Sequence, residues 1–126
     1  MIVRTAAGEH GGPNHSTFAT GSSLRLLTRI DGVGFSLHDT RLEAGATLDL
    51  WYKNHIEANY VIEGTGELTN LETGQTYAVA PGFMYTLDRH DRHRMRTDTA
   101  MRIICVFTPA LVGPEVHDQD HSYPIL

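Results

Sequence analysis

Short apolar runs, each closed by a turn that contains glycine or proline, recur along the whole chain and leave no room for long helices. No segment repeats an apolar side chain every three to four residues, which is the pattern of an amphipathic helix. Many short strands with turns between them are typical of an antiparallel sandwich or barrel. The strand-like runs are residues 24–30, 34–42, 59–62, 66–71, 75–79, 83–87 and 101–107. The sequence therefore predicts an all-β fold in a single domain over residues 1–126.

Two segments lack this strand pattern. Residues 6–23 are rich in glycine and poor in large apolar side chains, so we expect a mobile loop or lid. Residues 118–126 are mostly polar and follow a proline-bounded run, so we expect a loose tail.

Composition excludes several classes of function. The net charge is -5, whereas a domain that binds nucleic acid is normally basic. No apolar run is long enough to span a membrane, and the N-terminus lacks the apolar region of a signal peptide, so we expect a cytoplasmic protein. The only cysteine, Cys105, permits no internal disulfide and no cysteine-based zinc site. What remains is an enzyme or a binding protein for a small molecule.

One spacing in the middle of the chain resembles the first motif of the cupin superfamily, a small jelly-roll or double-stranded β-helix barrel. That motif reads Gly-x5-His-x-His-x3-Glu-x6-Gly, and Gly45, Glu57 and Gly64 occupy its glycine and glutamate positions. Trp51 and Lys53 replace its two histidines. The resemblance implies a cupin barrel from which two of the usual metal ligands are missing.

A second motif supplies further ligands. His93 falls on the metal histidine of the second cupin motif, and inward side chains on neighbouring strands of a barrel converge near its mouth. Glu57 and His93 alone would make a weak site, so a third donor is needed. Tyr85, on the strand leading to the His93 turn, is the best candidate. A carboxylate, a phenolate and an imidazole suit iron or zinc.

Five longer stretches resemble the ectoine synthase family of cupins. Residues 51–58 read Trp-Tyr-Lys-Asn-His-Ile-Glu-Ala, where the family has Trp-Tyr-Lys-Asn-His-Leu-Glu-Ala. Residues 85–93 are similar to its Tyr-x-Leu-Asp-x-His-Asp-x-His. Residues 63–67, 102–109 and 113–118 match its remaining motifs. These stretches are far more specific than the generic cupin spacing.

The resemblance implies a hydro-lyase that closes N-γ-acetyl-L-2,4-diaminobutyrate into ectoine, a compatible solute, with loss of water. It implies iron(II), Fe(2+), or another divalent metal such as zinc, and a homodimer. Carried over residue by residue, the metal ligands are Glu57, Tyr85 and His93. The pocket residues are Arg25, Thr40, Tyr52, His55, Cys105, Phe107, Glu115 and His117. Among these we interpret Tyr52 and His55 as the catalytic pair and Arg25 as the anchor of the substrate carboxylate. Arg25 and the other five are interpreted as substrate-binding.

Two alternatives remain open. One is a different metal-dependent cupin enzyme, a lyase or dioxygenase, and the other is a cupin that only binds a small ligand. The substrate is a separate open point, because Gly21 stands where the family usually has tryptophan and a related N-acyl diamine is the alternative. We expect this change to open the pocket wall and Gly21→Trp to restore it, unless Phe18 already fills the gap.

Overall fold

The computed structural model describes all residues from 1 to 126 and is built almost entirely of strands, which confirms the all-β prediction. Its helical parts are α1 (Ala6–Glu9) and one 3₁₀ turn at Arg29–Asp31. The strands are β1 (His15–Phe18), β2 (Gly21–Leu27), β3 (Ser36–Leu42), β4 (Thr47–Leu50), β5 (Ile56–Glu63), β6 (Gly66–Asn70), β7 (Thr76–Val79), β8 (Met84–Thr86), β9 (His93–Thr97) and β10 (Met101–Thr108).

The strands form two antiparallel sheets with a core between them. One sheet has six strands in the order β1-β2-β3-β10-β5-β8, and the other has four in the order β4-β9-β6-β7. Strand β10 pairs with both β3 and β5, so it lies inside the larger sheet. Its residues Met101, Ile103, Cys105 and Phe107 are only 2–4% exposed, as the alternation along this strand predicts.

Two connections pass from one sheet to the other at the end where the site lies. The first runs from β4 to β5 and carries Tyr52, and the second runs from β8 to β9 and carries His90. The two connections touch, because His90 Nδ1 lies 2.8 Å from the carbonyl oxygen of Tyr52. Side chains that are distant in sequence thereby meet at one mouth of the barrel.

The backbone at Gly64, the second glycine of the cupin motif, requires a glycine. Its φ is 93°, and a Cβ at this position would lie 2.3 Å from the carbonyl oxygen of Ala100. No other residue type fits this backbone and this close approach.

The segments expected to be loose are structured instead. Residues 6–23 contain α1, strand β1 and the start of β2, and β1 pairs with β2 as a hairpin. In the expected loose tail, residues 118–126, the side chains of Ser122 and Tyr123 are buried at 0% and 5% exposure. Both segments gain their order from contacts with the barrel, which local sequence patterns do not report. No helix in the structure has the length and apolar character that crossing a membrane requires.

Candidate active site

A narrow cavity of about 50 Å³ lies between the two sheets, and it is lined by 17 residues. One row of side chains crosses the large sheet beneath it. Arg25 pairs with His38, His38 with Cys105, Cys105 with Asn59, and Asn59 with Tyr85. Directly paired residues point to the same face of a sheet, so this register places five chemically useful side chains in a single line.

The cavity brings together most of the residues predicted from sequence. Those that line it are Thr40, Tyr52, Glu57, Tyr85, Cys105, Phe107 and His117. The other predicted residues, Arg25, His55, His93 and Glu115, are buried but do not form its lining. His55 stands edge-on to the ring of Phe107, with 6.0 Å between the ring centres. These four therefore lie outside the innermost wall.

Glu57 is a buried carboxylate with little compensation. Its only hydrogen bond to a side chain comes from Asn59, whose Nδ2 donates to Oε1 at 2.8 Å. Burial raises the pKa of Glu57 to about 8, because the charged form loses its hydration. A carboxyl group of this kind is a natural place for a cation to bind.

His93 presents a free ring nitrogen in the interior. Its Nδ1 donates to the carbonyl oxygen of Asp91 at 3.0 Å, which leaves Nε2 as the acceptor atom. That Nε2 is buried and has no hydrogen-bond partner. The ring centre of Tyr85 lies 6.3 Å away, and burial raises the pKa of the Tyr85 phenol well above 10.

These three groups fit a metal ion. An unpartnered imidazole nitrogen, a buried carboxylate and a buried phenol each lack what a cation would provide. No cluster of three His, Cys, Asp or Glu side chains in the structure could hold an ion, so a metal here depends on the phenol of Tyr85 as the third donor.

Tyr52 and His117 form a polar pair on the cavity wall. Tyr52 Oη lies 3.0 Å from His117 Nε2. Burial, with the nearby Arg25 cation, lowers the pKa of His117 to about 4, so its imidazole is neutral near pH 7. Burial also raises the pKa of Tyr52 well above 10. The phenol is therefore a proton donor and the imidazole an acceptor.

Arg25 is a buried cation held mainly by the C-terminal segment. Its Nη1 donates to the carbonyl oxygen of Gly113, and its Nη2 lies 3.4 Å from Tyr123 Oη. Its Nε is buried and has no partner. Glu115 lies 4.0 Å from Nη1, and its two carboxylate oxygens accept the backbone N–H groups of Val112 and Gly113 at 2.6 and 2.7 Å. In this structure Glu115 shapes the loop around Arg25.

Cys105 and Thr40 supply packing and a weak polar contact. The Sγ of Cys105 lies 3.5 Å from Thr40 Oγ1. Burial raises the pKa of the thiol well above 9, so it is not a thiolate near neutral pH. Neighbouring His38 lies between two hydroxyls, with Nδ1 3.2 Å from Ser23 Oγ and Nε2 3.0 Å from Ser36 Oγ.

Sequence reasoning missed Tyr123 as a site residue. Its ring stacks on His117 at 4.5 Å and on Tyr52 at 5.2 Å between ring centres. The signal available was a lone aromatic residue in a polar tail, which by itself does not indicate burial.

The expected effect of Gly21→Trp is wrong. A Cβ at Gly21 would lie 1.9 Å from the carbonyl oxygen of Arg41 on the paired strand β3, so no larger side chain fits there without moving the backbone. Phe18, opposite Gly21 in the β1–β2 hairpin, lines the cavity and supplies the aromatic wall. The loss of tryptophan at position 21 is therefore compensated within the hairpin.

Comparison with known proteins identifies the family. The model of the family described as ectoine synthase matches residues 1–126. The chain belongs to the ectoine synthase family. The L-ectoine synthase of Oceanobacillus iheyensis is 48% identical over 126 residues, which are 100% of this chain and 98% of that protein. The L-ectoine synthase of Thermobifida fusca is 46% identical over 126 residues, 100% of this chain and 94% of that protein.

Solved structures agree with the family and the fold. The crystal structure of ectoine synthase from P. lautus matches with a TM-score of 0.90 at 46% identity, covering 100% of this chain and 91% of that one. An RmlC-like cupin from Shewanella frigidimarina matches with a TM-score of 0.63 at 17% identity, covering 76% and 83%, and shows the fold alone. The predicted cupin fold, ectoine synthase family and ectoine synthase activity of the hydro-lyase class are confirmed. A match over the full length decides against the alternatives of another cupin enzyme or a non-catalytic cupin.

Proposed function

We propose that this member of the ectoine synthase family cyclises N-γ-acetyl-L-2,4-diaminobutyrate in the cavity between its two sheets, beside a divalent metal held by Glu57, Tyr85 and His93. The observation that carries the proposal is the unpartnered, buried Nε2 of His93, together with the buried carboxyl of Glu57. Both groups are costly to bury alone and would be compensated by one cation.

The reaction is an intramolecular condensation. The free amine of the substrate attacks the carbonyl carbon of its own acetamide, a C–N bond forms, and the carbonyl oxygen leaves as water with two protons from the nitrogens. The product is a cyclic amidine. When bound at the three ligands, iron(II), or zinc in its place, supplies a Lewis acid that polarises the acetamide carbonyl.

Proton transfer is assigned to the groups around Tyr52. The attacking amine must lose protons and the departing oxygen must gain them. Burial lowers the pKa of His55, so its imidazole is neutral near pH 7, and its Nδ1 is buried without a partner. The Tyr52–His117 pair offers a phenol that donates and an imidazole that accepts. We assign His55 as the base and Tyr52 as the donor, with His117 Nε2 lying 3.0 Å from the Tyr52 hydroxyl and fixing its position.

Substrate orientation is assigned to the opposite side of the cavity. The Nε of Arg25 lacks a partner, so this buried cation has a donor available for the substrate carboxylate. Phe107 provides a flat apolar wall, while Thr40 and Cys105 lie on the floor formed by β3 and β10. Glu115 does not line the cavity. It holds the loop whose Gly113 carbonyl oxygen accepts a hydrogen bond from Arg25. In such a space the flexible substrate is held folded back on itself. Its amine then lies close to its acetamide carbon, which raises the rate of ring closure.

The mouth of the cavity is the part of the site that the substrate has to pass. The cavity of about 50 Å³ is narrow beside a substrate with eleven non-hydrogen atoms. Its C-terminal wall, which includes His117 and Tyr123, belongs to no strand of either sheet. We assign the opening to this wall, whose closure over the substrate excludes water from a reaction that releases water.

The proposal also covers how the chain assembles and where in the cell it acts. Met1 and Val3 are 116% and 78% exposed, and the edge strands of both sheets are open to further pairing. An exposed apolar N-terminal segment and edge strands without a neighbour favour edge-to-edge pairing of two copies, so we propose a homodimer. We place the enzyme in the cytoplasm, where its product acts as a compatible solute under osmotic stress.

The metal assignment is tested by elemental analysis of purified protein after iron loading under anaerobic conditions. The parent should hold about one ion per chain, and Glu57→Ala or His93→Ala should lose most of it and the cyclisation activity. Glu67→Ala, at a half-buried position of β6 outside the cavity, is the matched control and should retain both. Full metal retention in both ligand variants, with the barrel folded by circular dichroism, would rule the centre out.

A further inference from the structure

Tyr123 is a buried aromatic residue to which neither the motifs nor the proposed reaction gives a role. Its side chain is 5% exposed although it belongs to a polar C-terminal segment. Its ring lies nearly parallel to that of His117, at 4.5 Å and 25°, and to that of Tyr52, at 5.2 Å and 19°. The guanidinium carbon of Arg25 lies 5.3 Å from its ring centre. One ring therefore touches three residues assigned to the site.

Arg25 has few other contacts that compensate its charge. The side chain is 2% exposed, and Nε has no hydrogen-bond partner. The nearest carboxylate, Glu115, is 4.0 Å away and already accepts two backbone N–H groups. A desolvated cation is attracted to the face of an aromatic ring. The ring of Tyr123 and the Gly113 carbonyl oxygen, which accepts from Nη1, are thus the two groups that fix where the guanidinium points.

The segment that carries the ring is anchored to the connection between β4 and β5. Asn54 Nδ2 donates to the carbonyl oxygen of Tyr123 at 2.9 Å, and the backbone N–H of Lys53 donates to Ser122 Oγ at 3.0 Å. The same connection carries Tyr52 into the cavity. This connection therefore anchors the backbone at Tyr123 and also supplies Tyr52, one ring of the stack.

We propose that Tyr123 is a positioning residue for the cyclisation: in the closed state its ring holds the Arg25 guanidinium in the orientation that receives the substrate carboxylate. The inference rests on the proposed function, because it takes Arg25 as the carboxylate anchor. Tyr123 acts through Arg25, and a cation oriented before the substrate arrives loses less freedom on binding.

Two substitutions separate the ring from the hydroxyl. Tyr123→Phe keeps the ring and removes only a long 3.4 Å contact to Arg25 Nη2, so KM should stay within about threefold of the parent. Tyr123→Leu removes the aromatic face and should lower kcat/KM by about tenfold or more, chiefly through a higher KM. Tyr77→Leu, at a tyrosine on β7 outside this cavity, is the matched control and should behave as the parent. Equal losses in Tyr123→Phe and Tyr123→Leu, or no loss in either, would overturn the proposal.

A double-mutant cycle tests whether the effect passes through Arg25. The variant Arg25→Lys/Tyr123→Leu should lose no more kcat/KM than the more impaired single variant, because both changes remove the same oriented guanidinium. Losses that multiply would mean that Tyr123 acts independently of Arg25, which contradicts the assignment.

A measurement without substrate separates this inference from the proposed function. The Arg25 Nε–H resonance, observed by NMR on 15N-labelled protein, should shift in Tyr123→Leu because the ring current is lost, and should remain near its parent position in Tyr123→Phe. If Tyr123→Leu does not fold, Asn54→Ala, which releases the same residue from its backbone anchor, should give a smaller shift in the same direction. An unmoved resonance in a folded variant refutes the positioning role. A parent that folds and shows the resonance but does not turn over the acetylated diamine refutes the proposed function alone.

Discussion

Tyr52 and His117 are separated by 65 residues in sequence, yet the phenol oxygen of the first lies 3.0 Å from Nε2 of the second. The contact exists because the β4–β5 connection turns Tyr52 inward while the C-terminal segment folds back across the mouth of the barrel. Both side chains line the cavity that also contains Glu57 and Tyr85. A proton donor and a neutral acceptor therefore stand beside the proposed metal ligands.

The first prediction concerns the hydroxyl of Tyr52, the proton donor of this pair. Tyr52→Phe preserves the ring that packs on Phe107 and Tyr123 but deletes the hydroxyl. We expect kcat to fall by about 10²-fold or more, as is typical when a positioned proton-transfer group is lost. Metal content should match that of the parent, and Tyr77→Phe serves as the control. A kcat within threefold of the parent would show that Tyr52 does no proton transfer.

The second prediction concerns the aromatic wall formed by the β1–β2 hairpin. Phe18→Ala should raise KM for the acetylated diamine by about tenfold, since it removes apolar surface from the cavity wall. Steady-state kinetics provide the check, and an unchanged KM would mean that the substrate does not reach this wall.

The third prediction concerns the backbone of the same hairpin. Even Gly21→Ala should lower the midpoint of thermal unfolding markedly, because its Cβ would collide with the carbonyl oxygen of Arg41. The neighbouring substitution Ser22→Ala should have a much smaller effect, since its Cβ is already present. Differential scanning calorimetry of Gly21→Ala and Ser22→Ala measures both midpoints. Equal midpoints would show that the strand shifts to accept the methyl group of alanine.

The fourth prediction is a pH dependence of stability that arises from His38. Burial, with a contribution from Arg25, lowers the pKa of His38 from 6.5 to about 3 in the folded chain. The folded state therefore disfavours the proton that the unfolded state accepts, so the stabilisation is complete above pH 6.5 and is lost as the pH falls towards 3. At pH 5 the loss from this residue is about 2 kcal/mol of the free energy of unfolding.

Urea unfolding of the parent and of His38→Asn at several values between pH 8 and pH 5 measures this contribution. The difference between the two proteins should shrink as the pH falls, because only the parent loses the contribution of His38. Parallel curves across this range would mean that His38 titrates normally in the folded state.

The parts of the fold that the sequence predicts are those governed by local alternation. Strand β10 alternates buried and more exposed residues, and its inward face from Met101 to Phe107 is apolar throughout. Strand β9, by contrast, reads His-Arg-Met-Arg-Thr, where polar side chains occupy both faces. Its burial depends on pairing with β4 and β6, so the pattern alone does not predict it as a strand.

The same distinction between local sequence pattern and tertiary contact applies to the residues of the site. The spacing and the family motifs predict Glu57, Tyr85 and His93 as the ligands of one metal ion, and this stays a prediction. Tyr123 could not be found in this way, since its burial comes from tertiary hydrogen bonds to the β4–β5 connection. The steric limit at Gly21 likewise depends on the paired strand β3, which sequence alone does not place.

The most direct test of the central claim is mass analysis of the product that the metal-loaded protein forms from N-γ-acetyl-L-2,4-diaminobutyrate. We expect a product lighter by one water that co-elutes with authentic ectoine, formed by the parent and by Glu67→Ala but lost in Glu57→Ala and His93→Ala. Unchanged substrate with the fully loaded parent, or undiminished cyclisation by both ligand variants, would contradict it.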